Sequence, residues 1–122
     1  MSDIEAVVRA YGAAWTSAEE DERRRLLEFA WSETGIYQDP TADVVGRKAL
    51  IQHIAGFQRR MPHSRIVLTS GVQHHHGRVH FTWEITNPDG KVTLEGRDFG
   101  ELDGDGRLCR IVGFFGPPPS LA

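Results

Sequence analysis

The chain has 122 residues, 39% of them apolar, which is enough for one compact domain with a single hydrophobic core and too few for two. Fourteen Lys plus Arg against seventeen Asp plus Glu leave a net charge of -3, so no basic field is present to gather nucleic acid or an anionic membrane surface, and small neutral partners fit better. A lone cysteine, Cys109, excludes an internal disulfide framework. With no apolar run near the ~20 residues of a membrane span and no leader-like start, the expected location is the cytoplasm.

Ser2-Asp3-Ile4-Glu5 opens a predicted helix, with Ser2 as cap and Glu5 reaching back to it. Ile4, Val7, Val8, Tyr11, Ala14 and Trp15 follow helical spacing on one face, so Tyr11 points inward. A second helix is predicted from near Ser17 to about Ala30. Its pairs Glu19-Arg23, Glu20-Arg24 and Asp21-Arg25 stand four apart with the acid first, so Arg23 to Arg25 read as a solvated face. A third helix is predicted from about Gly46 to Arg60, burying Leu50, His53, Ile54 and Phe57, with Pro62 just beyond its end.

After the third helix the pattern changes to β-branched and aromatic runs over Arg65 to Val72, Val79 to Thr86, Val92 to Leu102 and Leu108 to Phe115. His-Gly, Asn-Pro-Asp-Gly and Asp-Gly-Asp-Gly turn signals separate them, which predicts antiparallel strands joined by hairpins. Val79, Phe81, Trp83 and Ile85 alternate with polar residues, so one sheet face is in the core. Asp98 shares parity with Leu94, Gly96 and Leu102 and faces inward, whereas Arg97 faces outward. The fold class is therefore α+β, one domain over residues 1–116, with a proline-rich, disordered tail over 117–122.

Three side chains far apart in the chain, Tyr11 in V-V-R-A-Y, Asp39 in I-Y-Q-D-P and Asp98 in G-R-D-F, stand in an order, closing on R-I-V-G-F-F-G, that resembles the ketosteroid isomerases of the NTF2-like (SnoaL-like) superfamily. The resemblance runs from about Ile4 to Gly116. It implies a cone, with the helices packed on a strongly curved antiparallel sheet around a hydrophobic pocket, and a homodimer formed through the sheet. It also implies cofactor-free proton transfer on a cyclic, steroid-like ketone. Asp39 then falls on the general base, and Tyr11 and a neutral Asp98 fall on the donors to the enolate oxygen. Each has an ordinary structural alternative: Asp39 a turn with Pro40, Tyr11 a core phenol, Asp98 a hydrogen bond to buried backbone.

Ile54 stands where the best-known isomerases carry a supporting tyrosine, with His53 beside it. His53, Ile54, Phe57, Trp83 and Phe115 are the candidate ligand-contacting residues. A SnoaL-type polyketide cyclase is the alternative enzyme on this fold, and a non-catalytic small-molecule-binding or dimerisation module the alternative without chemistry. His74-His75-His76-Gly77 is predicted to be a hairpin tip, because alternation sends His75 to the opposite face from His74 and His76. No metal site and no cofactor motif is expected: four zinc ligands do not converge, and no phosphate loop, nucleophile elbow or H-E-x-x-H is present.

Overall fold

The computed structural model describes residues 3–121. The elements in chain order are α1 (Asp3–Thr16), α2 (Glu20–Ala30), β1 (Trp31–Asp39), β2 (Ala42–Val45), α3 (Arg47–Arg60), β3 (Arg65–Leu68), β4 (Gln73–His75), β5 (Arg78–Thr86), β6 (Val92–Leu102) and β7 (Leu108–Phe115). The strands make one curved sheet in the order β2-β1-β7-β6-β5-β3, with β4 also on β5. Val79, Phe81, Trp83 and Ile85 of β5 are buried and join Leu108 and Ile111 of β7 under the helices. Val8, Leu27, Leu50 and Ile54 close the core from above, each without exposed surface. No helix among the described residues is long and apolar enough to cross a membrane.

Helices on a curved sheet agree with the α+β expectation, but several details differ. The sheet is mixed rather than antiparallel, because β1 lies parallel to β7, pairing Tyr37 with Ile111 and Gln38 with Val112. β1 and β2, joined by a tight turn at Pro40-Thr41, have no counterpart among the predicted strands. Ser32, Glu33, Thr34 and Gly35 break the alternation there, and the register with β7 slips between Trp31 and Ile36. The run predicted over Arg65 to Val72 stops at Leu68. Beyond it one backbone bond, from Thr69 N–H to the Thr82 carbonyl at 2.9 Å, continues the ladder, the Thr69 and Thr82 hydroxyls bond at 2.7 Å, and the Ser70 hydroxyl then accepts the backbone N–H of Thr82.

The helix starts are corrected as well. Ser2 lies outside the described residues. α2 begins at Glu20 because the Ser17 hydroxyl first accepts the Glu19 N–H in a local turn. Of the three arginines expected in water, Arg24 and Arg25 are exposed and meet Glu20, Asp21 and Glu22. Arg23 is 3% exposed and donates to the Ser17 carbonyl at 3.0 Å, since it shares a stripe with Leu27 and Ala30, four and seven residues on. The β4–β5 hairpin turns at His76-Gly77, both at positive φ. Residues 117–121 form no helix or strand and are exposed.

Candidate active site

A cavity of about 320 Å³ opens between the helices and the concave face of the sheet. That lies at the lower end of the range of ligand pockets, about 300 to 1,000 Å³. Phe57, Phe81, Trp83, Ile85 and Phe115 form apolar walls, and Tyr11, Tyr37, Asp39, His53 and Asp98 are the polar groups within them. Exposed Thr41, Arg60, Met61 and Thr93 also line the cavity and so mark its mouth. Of the eight residues singled out from the sequence, seven line the cavity. Ile54 does not: it has no exposed surface and packs in the core on the far side of the α3 stripe.

Two carboxyl groups reach the cavity from strands that are not neighbours. Asp98 on β6 pairs across the sheet with Gly113 on β7, and β7 in turn pairs with β1 just before Asp39. Gly113 has no side chain to separate them. A Cβ built there would stand 2.9 Å from Asp98 Oδ1 and 3.6 Å from Asp39 Cβ. A second glycine is needed for a similar reason. The indole of Trp83 lies across Gly96, where a Cβ would fall 2.2 Å from ring carbon, and so its N–H reaches Asp98 Oδ1 at 3.0 Å.

The two carboxyls have opposite surroundings. Asp39 Oδ1 accepts the backbone N–H and the hydroxyl of Thr41 at 2.7 and 2.8 Å, and Oδ2 accepts the Tyr37 hydroxyl at 2.5 Å. Asp39 therefore closes the β1–β2 turn and also faces the cavity. With three of about four lone-pair directions filled, the one left is on Oδ2. Asp98 is 5% exposed, with one indole N–H as its partner. Burial pushes it up to about 7; the charge of Asp39 adds to the rise and the Trp83 N–H opposes it.

Tyr11 is buried and stacks on Trp31 with ring centroids 5.6 Å apart. Burial raises its phenol well above the ordinary range, with Asp98 and Asp39 contributing, so it is a donor and not an anion at neutral pH. Tyr37 is raised likewise by burial, then by its neighbours Tyr11 and Asp39. His53 packs edge-on against Trp15 at 5.8 Å and beside Tyr37 at 5.6 Å. Burial lowers its affinity for a proton; the nearby Asp39 opposes that and Arg60 reinforces it, so a neutral imidazole lines the wall.

Sequence reading missed Tyr37, Thr41 and Arg60. Tyr37 was within reach of it, since in I-Y-Q-D a strand puts Tyr37 and Asp39 on one face, two residues apart. This phenol comes from β1 and bonds Asp39, and no hydrogen bond to Tyr11 is found for it among the described residues. Taken together, the arrangement offers an acceptor carboxylate, a carboxyl able to hold a proton near neutrality and a donor phenol in a largely apolar cavity. Such a set can remove a proton from carbon and stabilise the resulting oxyanion without a cofactor.

Solved structures resemble the whole chain. A candidate isomerase of the SnoaL-like family from Agrobacterium tumefaciens superposes with a TM-score of 0.89 at 29% identity, covering 96% of this chain and 100% of that one. A candidate SnoaL-like polyketide cyclase from a Jannaschia species shares the fold at TM-score 0.73 and 18% identity, over 93% of this chain and 84% of the other. A de novo designed protein with a curved β-sheet matches equally well, at TM-score 0.73 and 16% identity over 96% and 89%. No family model and no curated protein matches the chain. A designed scaffold among the neighbours means that the fold by itself assigns no chemistry, and the cavity residues must carry that argument.

Proposed function

We propose that this chain, a member of the NTF2-like (SnoaL-like) superfamily, catalyses cofactor-free proton transfer at a carbon next to the carbonyl of a cyclic ketone. The observation that carries the reading is the pair of carboxyls placed in one apolar cavity across Gly113, one accepting three donors and the other poised near 7. Asp39 Oδ2 takes the proton; the C–H electron pair moves into the C=C–O⁻ of an enolate. Tyr11 and neutral Asp98 donate to that oxygen. Asp39 then returns the proton to the same carbon or, in a β,γ-unsaturated ketone, two carbons away, which conjugates the double bond. Each donor supplies about 3 to 4 kcal/mol to the transition state.

The test is the growth of enone absorbance when a β,γ-unsaturated cyclic ketone, a ketosteroid first, meets the purified protein. Conversion is expected to vanish in Asp39→Asn and to slow about 100 to 1000-fold in Tyr11→Phe; a loss of only a few-fold sinks the Tyr11 role. A second reading, SnoaL-type cyclisation of a polyketide, is favoured by Asp98 alone, since a carboxyl near 7 can serve as both acid and base. A mere binding module is distinguished by ligand binding that ignores pH and survives loss of Asp39. The outer sheet face supports a homodimer: Phe99 and Phe114 are exposed there, Phe99 stacks on His80 at 4.5 Å, and Arg97 lies over Phe114.

A further inference from the structure

Arg60 has no part in the proton transfer proposed above. Arg60 ends α3, is exposed and lines the mouth. Among the described residues no carboxylate lies within ion-pair distance of it, although Arg24, Arg25 and Arg107 all have one. Although exposed, its side chain lies along the helix. A Cβ on Gly56 would stand 3.2 Å from Arg60 Nη1, so the guanidinium is folded back along the helix over that glycine. Gly56 is three residues, about 4.5 Å of helix rise, from the level of His53. The cation therefore sits within about one turn of the imidazole that packs beside Tyr37, and it acts on that imidazole electrostatically, against Asp39.

We propose that the substrate is a small carbonyl compound bearing a carboxylate, which Arg60 holds at the mouth while the reacting carbon lies between Asp39 and Asp98. The proposal rests on the proton-transfer reading. A guanidinium presents two parallel N–H donors that match the two oxygens of a carboxylate. Among the described residues it is the one permanent cation lining the cavity, which suits a monoanion rather than a phosphate dianion. The cavity, about 320 Å³, lies at the small end of ligand pockets, which suits a small substrate.

The experiment measures binding of 2-naphthoate and its methyl ester, neither of which can react, by quenching of the cavity tryptophans Trp15 and Trp83. The acid is expected to bind about five- to tenfold more tightly at low salt, the preference shrinking in 0.5 M NaCl. Arg60→Ala should bring the ratio to about one and Arg60→Lys should keep part of it, while unchanged ester affinity reports that the cavity is intact. Equal binding by the wild-type protein, or a preference that survives Arg60→Ala, overturns the proposal. Exchange of the α-protons of 2-tetralone in D2O tests the chemistry alone. Exchange without acid preference overturns the carboxylate proposal only; acid preference without exchange supports Arg60 and overturns the proton-transfer reading.

Discussion

Replacing Asp98 by asparagine should stabilise this protein at alkaline pH, the reverse of what removing a buried hydrogen-bonding residue usually does. Asp98 is 5% exposed and is pushed from 3.8 to about 7, chiefly by burial. Between about pH 4 and pH 7 the folded protein keeps a proton that the unfolded chain has released, so stability falls as pH rises through that window and levels off above it. The rise from 3.8 to about 7, at about 1.36 kcal/mol per tenfold change in proton affinity, amounts to about 4 kcal/mol when fully expressed. Asparagine keeps the shape, accepts the Trp83 N–H through its amide oxygen and cannot ionise. The gain of Asp98→Asn over wild type should therefore be about 3 kcal/mol larger at pH 8.5 than at pH 4.5. In melting temperature that is roughly 10 °C for a domain of this size. Urea unfolding of both proteins at the two pH values measures it, the other titrating groups cancelling in the difference. A difference that is flat with pH, or one that favours the wild type at pH 8.5, refutes both the neutral carboxyl and its cause.

Gly113→Ala should cost about 1 to 3 kcal/mol of stability, because its Cβ would meet Asp98 Oδ1 at 2.9 Å. By displacing that carboxyl it should slow turnover about 100-fold, and native activity in this variant would contradict the account of the paired acids. The rate against pH separates two roles for Asp98: as a donor it must be protonated, so activity falls as pH rises through about 7, whereas as a base it would make activity rise there. Phe114→Glu, on the exposed sheet face, should convert the proposed dimer to a monomer by sedimentation without lowering the melting point of the monomer; an unchanged dimer places the interface elsewhere.

How much of this was legible depended on whether a residue's neighbours obeyed one period. β5 alternates without interruption from Val79 to Ile85, and its buried face is as expected. Asp98 was readable as inward from parity alone, on a strand whose two glycines, Gly96 and Gly100, interrupt the apolar pattern but not the alternation. β1 was not readable, because a register slip spends Ser32 to Gly35 on an irregularity, and with the strand went Tyr37, the phenol that holds Asp39. Arg23 misled for the opposite reason. A run of three arginines has a polar composition, but a helix turns one of the three toward the core with Leu27, and the Ser17 carbonyl is there to receive it. The proximity of Asp39 to Asp98 could not come from spacing at all, since it arises from a parallel pairing between the first strand and the last.

A designed protein reaches the same curved sheet, so nothing about the architecture requires an ionisable group beneath the helices. Yet the chain places Asp98 there, at a cost that grows to about 4 kcal/mol above pH 7, against a total stability of about 5 to 15 kcal/mol for native domains. The same strand gives up side chains at Gly96, and its neighbour at Gly113, to let Trp83 and Asp39 approach that carboxyl. An asparagine would fill the same space and accept the Trp83 N–H without that cost. A carboxyl placed at such expense, beside two close-packed glycines and aimed into a cavity with a second carboxyl and two phenols, supports the proposed role of a group that holds and gives up a proton near neutral pH.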